Sequence, residues 1–454
     1  MVLDDGSQLD RQLSLPFEGR GEAPRAQGSG QPSSASPRDE RSGTGLLMER
    51  VAAHANLMAA MQKVMGNKGS AGVDGMPTKA LPGWFAQHGE RLREQLLAGT
   101  WAPTPVRRVD IPKPDGGTRQ LGIPTVVDRM VQQAILQVLQ PLWDPTFSPS
   151  SHGFRPARSA HDALRAAQQF VASGHTIVVD VDLEKFFDRV NHDVLMSRVA
   201  ARIEDKRLLR VIRGFLNAGM MLNGVVIERH EGTPQGGPLS PLLANLLLDE
   251  VDKELERRGH FFARYADDCN VYVRTRKAGE RVMASLKVLF GRLHLRINEA
   301  KSAVAPASKR TFLGLQVRWV AKGQPGWRLP EKSQERFMAR IRELTNRNRG
   351  RAFKDVVGEV RRYMLGWLQY FTIGATEKIF DELDGWVRRR LRCLVMKQRH
   401  PRGSHSRWAM GLWANSELTV AWFDSIGLPR LWKSDLNNTN RRMRTRMSGG
   451  VGGD

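Results

Sequence analysis

Tyr265-Ala266-Asp267-Asp268 sets two adjacent carboxylates between two apolar, β-prone runs, Phe261-Phe262-Ala263-Arg264-Tyr265 before and Val271-Tyr272-Val273 after. The pattern predicts a strand, a tight turn and a second strand. Neighbouring carboxylates repel and are costly to hold together without a cation. The functional reading is therefore a divalent-metal site, with phosphoryl or nucleotidyl transfer as its chemistry. A solvated acidic turn would give the same dipeptide, so the rest of the chain has to decide.

A second acidic stretch is Asp180-Val181-Asp182-Leu183-Glu184-Lys185-Phe186-Phe187-Asp188. Residues 177–182 alternate as a buried strand does, which puts Asp180 and Asp182 on one face at its end. Periodicity does not choose between them, and one of the two could simply cap the following helix.

Composition names the partner class. Across 454 residues the formal net charge is +23, which points to a polyanion, either nucleic acid or an anionic membrane surface. No apolar run is long enough to span a bilayer. The opening MVLDDGSQLD has neither a basic nor an apolar signal region. Two cysteines, Cys269 and Cys393, exclude a disulfide framework or a zinc site of cysteine pairs, and fit a reducing, cytoplasmic setting.

Along the chain, residues 1–44 are rich in Gly, Ser, Pro and Arg and read as a disordered leader. Leu47, Val51, Leu57, Met58, Met61 and Val64 make a helical stripe ended by Gly66-Asn67-Lys68-Gly69-Ser70. From 103 to about 320 helix and strand mix: a strand at 106–111, a turn at Pro114-Asp115-Gly116-Gly117, a helix over 128–142 with Val131, Ile135, Val138 and Leu142 inward, and a helix over 241–255. Beyond 330 three helical faces follow: Phe337, Ile341 and Leu344; Val356, Val360, Tyr363 and Trp367; and Ile379, Leu383, Val387, Leu391 and Leu394. The domains expected are a leader over 1–44, a mixed domain over 45–325, a helical domain over 326–400 and a short basic, Trp-rich tail over 401–454.

These blocks together resemble a known family. Asp182 with Phe187 five residues on, then Tyr265-Ala266-Asp267-Asp268, is similar to the two metal-binding motifs of a reverse transcriptase palm. Between them Gly232-Thr233-Pro234-Gln235-Gly236-Gly237-Pro238-Leu239-Ser240-Pro241-Leu242-Leu243-Ala244-Asn245 resembles the nucleotide-proximal loop and its helix. Arg119-Gln120-Leu121-Gly122-Ile123-Pro124-Thr125 and Ser151-His152-Gly153-Phe154-Arg155-Pro156 match upstream blocks, and Asn298-Glu299-Ala300-Lys301-Ser302 and Phe312-Leu313-Gly314 downstream ones. Their order and spacing resemble those of group II intron reverse transcriptases, or maturases, over about residues 46–398. The resemblance implies an α+β right-hand polymerase, fingers and palm with an antiparallel sheet, followed by an all-α thumb or X domain.

It also implies roles. Asp182, rather than Asp180, joins Asp267 and Asp268 as the catalytic, metal-holding carboxylates for two Mg²⁺ ions, with Mn²⁺ as a substitute. Lys113 and Arg119 would hold the dNTP triphosphate, Gln235 would lie beside the nucleotide, and Phe187 would exclude a 2′-hydroxyl. A solvated basic hairpin and a core Phe are the plainer alternatives. Lys301 is a candidate proton donor, and Phe312, Leu313 and Gly314 a candidate primer grip or else a β-hairpin core. Arg388, Arg389, Arg390 and Arg392 would track RNA phosphates unless they form a solvated face.

The implied function is RNA-directed DNA polymerisation together with group II intron splicing, retrohoming and mobility of the element. The partners are intron RNA, an RNA template with DNA primer, target DNA and dNTPs, with no membrane. The chain lacks an HNH-like endonuclease pattern, as class C members do, and residues 421–429 resemble their short DNA-binding tail. Two other readings are a group II-like reverse transcriptase with a host defence or repair role, and an RNA-binding splicing factor with a vestigial polymerase site.

Overall fold

The computed structural model describes residues 43–112, 117–222, 225–227, 231–233, 236–320, 323–348, 350–374, 376–399 and 417–431. Most of the expected leader and tail therefore lies outside the described residues. The chain forms two compact units that divide between Arg310 and Thr311.

The first unit opens with α1 (Leu47–Ala52) and α2 (His54–Gly66). The single predicted stripe is thus broken at Ala53, whose ψ of 132° leaves the helical region. Leu47, Val51, Leu57, Met61 and Val64 still face the core. After α3 (Leu81–Ala98), β1 (Val106–Pro112) and β2 (Thr118–Ile123) pair antiparallel. Next comes α4 (Val126–Trp143), capped by Thr125, whose side chain accepts from the Asp128 nitrogen. Val131, Ile135 and Val138 are buried as predicted, but Leu142 is 38% exposed. Leu139 and Trp143 fill the core in the last turn instead.

Then follow α5 (Ala160–Ala172), β3 (Ile177–Val181), α6 (Phe186–Arg189), α7 (His192–Ala200), α8 (Lys206–Asn217), β4 (Met220–Leu222), β5 (Val225–Ile227), α9 (Ser240–Arg257), β6 (Phe261–Tyr265), β7 (Asp268–Val273), α10 (Arg276–Arg292) and β8 (Ala303–Pro306). A reciprocal Ser159–Asp162 capping box starts α5. One sheet runs β2-β1-β4-β5, with β1 and β4 parallel. The other runs β6-β7-β3-β8, antiparallel throughout. Val178, Val179, Val181, Val271 and Val273 are buried in the second sheet, as the apolar runs require.

The second unit begins with a small antiparallel sheet, β9 (Thr311–Phe312), β10 (Leu315–Trp319) and β11 (Pro325–Arg328). Three helices follow, α11 (Glu331–Leu344), α12 (Phe353–Phe371) and α13 (Glu377–Arg399), and then α14 (Val420–Ser425). All three predicted helical faces point inward, except that Ile379 and Tyr363 are only half-buried. Aromatic rings join the helices: Trp367 lies 4.4 Å from Phe337 and 5.9 Å from Phe380.

The boundary expected near 325 falls earlier because the first hairpin of this sheet is bonded to the helices. The Tyr370 hydroxyl donates to the Leu313 carbonyl at 2.9 Å, and Ser333 Oγ to the Gly314 carbonyl at 2.8 Å. Residues 417–431, within the expected tail, pack on the helices. Leu418, Phe423, Leu428 and Leu431 are buried, and the Leu431 nitrogen donates to Asp384 of α13 at 3.2 Å.

Candidate active site

The register of the antiparallel sheet assembles the acidic residues. Val181 of β3 pairs with Cys269 of β7, so continuing by one residue sets Asp182 across from Asp268. Asp267 occupies the two-residue turn before β7, because Tyr265 pairs with Asp268. The block at 298–302 clamps Asp182 through its backbone. The Asn298 nitrogen donates to the Asp182 carbonyl at 2.8 Å, and the Asp182 nitrogen donates to Ser302 Oγ at 3.0 Å.

Asp180, beside this group, has a partner of its own. Arg310 Nε donates to its carboxylate at 2.6 Å, and Asn270, with its amide nitrogen turned inward, donates at 3.0 Å. Asp180 thus has a cationic partner in the fold.

Electrostatics marks Asp267 and Asp268 as costly to ionise. Burial, then repulsion from Asp180, Asp267 and Asp182, raises the Asp268 carboxyl well above the usual range. Burial and Asp182 also raise Asp267, against a smaller downward pull from Arg119 and Arg264. Among the described residues no group of three or more His, Cys, Asp or Glu is closed around a metal position. The donor chemistry nonetheless fits a hard divalent cation, since the residues are carboxylates whose mutual repulsion a cation would relieve.

A layer behind the turn escaped the sequence reading. Arg264 is buried within an otherwise apolar strand, and its guanidinium donates to Asp252 at 2.8 Å, Asn245 at 2.9 Å, Ser151 Oγ at 2.7 Å and the Ala266 carbonyl at 2.8 Å. It ties α9 to the turn that carries Asp267. Ala266 adopts a left-handed φ of 59°, and Gly153 lies against it so closely that a Cβ would stand 2.9 Å from the Tyr265 carbonyl carbon and collide with the Ala266 nitrogen. The available signals were an arginine inside an apolar strand and a glycine in a matched block.

The candidate nucleotide side is only partly visible. Lys113 and Gln235 lie outside the described residues. Arg119 is exposed on β2 opposite Ile111, and its charge reaches Asp267. Phe187 is half-buried, edge-on to Phe186 at 5.0 Å, and its carbonyl accepts from the Thr233 nitrogen at 2.7 Å. The aromatic position and the nucleotide-proximal loop are therefore bonded together.

Residues 111–317 match the family described as reverse transcriptase (RNA-dependent DNA polymerase), and residues 334–413 match the group II intron, maturase-specific domain. Protein YkfC of Escherichia coli is 34% identical over 307 residues, 59% of this chain and 80% of that protein. The chain belongs to the group II intron reverse transcriptase/maturase family. Its enzymatic class is RNA-directed DNA polymerase. Group II intron-encoded protein LtrA of Lactococcus lactis is 37% identical over 195 residues, 43% of this chain and 32% of LtrA. A 91 kDa protein in the cob intron of Schizosaccharomyces pombe is 34% identical over 199 residues, 44% of this chain and 24% of that protein. The match to these two spans a third of their length or less. Reverse transcriptases of this kind generally use divalent metals. Among the described residues no helix is long and apolar enough to cross a membrane.

In the maturase-matching unit the expected RNA face needs correction. Arg388 is 1% exposed and is ion-paired with Asp384 and Asp424, so it ties α13 to α14 instead of facing a ligand. Arg390 donates to Thr345 Oγ1 at 2.8 Å and lies over the Trp386 ring. Arg392 donates to the Leu418 carbonyl at 2.9 Å. Of the four, Arg389 alone is exposed. The helix buries one face of its basic run because that face closes on residues 417–431. Phe312 is buried in this same unit, while Leu313 and Gly314, with φ of 50° and 78°, form its tight turn. Lys301 is exposed in the first unit, where its carbonyl accepts from Arg310.

Proposed function

We propose that this chain extends a DNA primer on an RNA template by two-metal nucleotidyl transfer, and that it binds group II intron RNA to assist splicing and mobility. The observation that carries the first part is the register that faces Asp182 with Asp268 beside Asp267. Asp182, Asp267 and Asp268 would hold two Mg²⁺ ions, which when bound supply a lowered pKa at the primer 3′-hydroxyl and neutralise the triphosphate. Arg119, with Lys113, pairs with the triphosphate. Phe187 limits space at the sugar and so favours dNTP over NTP. Residues 45–310 carry the polymerase chemistry, and the helical unit after Thr311 carries primer contacts and the intron RNA. Two free cysteines, one of them buried, fit a reducing cytoplasmic setting.

Primer extension by the purified chain, with Asp267→Ala and Asp268→Ala beside it, tests this reading. Both variants should lose extension while RNA affinity is retained. Extension surviving in either one would remove the two-metal assignment. For the sugar, Phe187→Ala should raise the rNTP/dNTP incorporation ratio, and an unchanged ratio would leave Phe187 as a packing residue.

A further inference from the structure

Phe154 is held in a conformation that serves neither its backbone nor its side chain. Its φ is +58°, a left-handed value that a bulky residue adopts only where its surroundings over-determine it. Its side chain is 40% exposed. The aromatic contact it makes among the described residues is a tilted one with Tyr265, at 6.5 Å between centroids. Tyr265 leads directly into Ala266, Asp267 and Asp268.

The residues on both sides explain why the strain persists. The Gly153 carbonyl accepts from Asn245 Nδ2 at 2.9 Å, and a Cβ at Gly153 would collide with the Ala266 nitrogen. The buried Arg155 guanidinium donates to Asp144 Oδ1 at 2.8 Å and to the Ser148 and Ser151 carbonyls at 2.5 and 2.9 Å. With both neighbours pinned, Phe154 cannot relax toward negative φ or fold its ring inward. Burial does not account for a phenylalanine here, and glycine would suit the backbone better. What the position offers is an exposed aromatic face next to the catalytic hairpin of a strongly basic chain.

We infer that Phe154 is a stacking platform for a nucleobase bound at the catalytic hairpin. This rests on the polymerase reading and adds a binding element to it. The base belongs either to the incoming nucleotide or to the primer–template, and the two sources separate experimentally.

The test uses the full chain with Phe154→Gly, which removes the ring and accepts the left-handed backbone, and Phe154→Tyr, which keeps the ring. Three quantities are measured: the melting temperature, Kd for an RNA–DNA primer–template by fluorescence anisotropy, and KM for dNTP in primer extension. Phe154→Gly should melt no lower than wild type while one binding constant worsens by about 5- to 150-fold, the range for loss of one aromatic–base stack. Phe154→Tyr should stay near wild type.

A raised KM at unchanged Kd assigns the stack to the incoming base, and a raised Kd assigns it to the primer–template. Neither constant moving, a lower melting temperature for Phe154→Gly, or equal losses in Phe154→Tyr would each overturn the inference. Asp268→Ala run in parallel keeps the two readings apart. If it still extends primers, the polymerase reading fails. If it is dead and Phe154→Gly behaves as wild type, only the Phe154 inference fails.

Discussion

Asp180 and Asp268 show how one residue type acquires two fates within one sheet. Burial raises both carboxyls, but Asp180 has Arg310 and Asn270 as partners, whereas Asp268 is raised further by three other carboxylates. A carboxyl raised by folding favours its protonated form, so the fold loses stability as pH rises from the ordinary carboxylate pKa through the raised folded value. Asp268→Asn should therefore melt a few degrees above wild type in chelator at neutral pH while losing extension, a stability–function exchange. Added Mg²⁺ should raise the wild-type melting temperature more than that of the variant. Equal shifts would mean that the ion is held elsewhere.

His152 provides a separate pH handle. It is 4% exposed, and burial together with the Arg158 charge lowers its pKa to about 4 from the ordinary 6.5. The neutral ring is favoured in the fold, so its contribution is complete above about pH 6.5 and is lost as pH falls toward 4, up to about 3 kcal/mol. His152→Gln should flatten the decline in melting temperature between pH 7 and pH 4.5. Superimposable profiles would assign acid lability to other groups.

At the scale of elements, α9 and the β6–β7 hairpin are joined by a buried ion pair. Arg264 and Asp252 have side chains 2% and 0% exposed. Removing one partner of such a pair strands the other charge and costs about 3–5 kcal/mol. Asp252→Ala should lose that much in urea denaturation, against less than about 1 kcal/mol for Glu280→Ala, whose partner Arg276 is on an exposed helix face. Because Arg264 also holds the Ala266 carbonyl, Asp252→Ala should lower kcat more than it raises the primer–template Kd. A variant as stable as Glu280→Ala would show that the pair is replaceable. Phe187 and Thr233 are joined by a backbone hydrogen bond of 2.7 Å.

At the scale of the whole molecule, a charge of +23 makes nucleic-acid affinity steeply dependent on salt, but not every arginine contributes to it. Arg388 is an internal fastener of the second unit and Arg389 an exposed cation. Arg388→Ala should destabilise the chain by about 3–5 kcal/mol with no change in the salt slope of RNA binding. Arg389→Ala should leave stability within about 0.5 kcal/mol and lower that slope by roughly 0.7–0.9, the yield of one phosphate contact. Kd across a salt series for each variant measures this. Parallel slopes for Arg389→Ala would place the RNA surface off this helix.

The acidic motifs, the strands that carry them and the three apolar helical faces were legible because each is a local pattern. Two-residue alternation marks a strand, a 3.6-residue stripe marks a helix, and adjacent carboxylates mark a charge conflict wherever they stand. The order of the blocks likewise lies wholly in the chain and was enough to indicate the family. Tertiary structure alone decided three other things. It paired Asp180 with Arg310, which lies 130 residues away in the chain. It made Arg388 a buried fastener, because residues 417–431 close over it. It placed Arg264 and Gly153 beneath the turn that carries Asp267. Each of these outcomes depends on which distant charge or backbone comes within hydrogen-bonding distance, and a periodicity read along one segment carries no information about that.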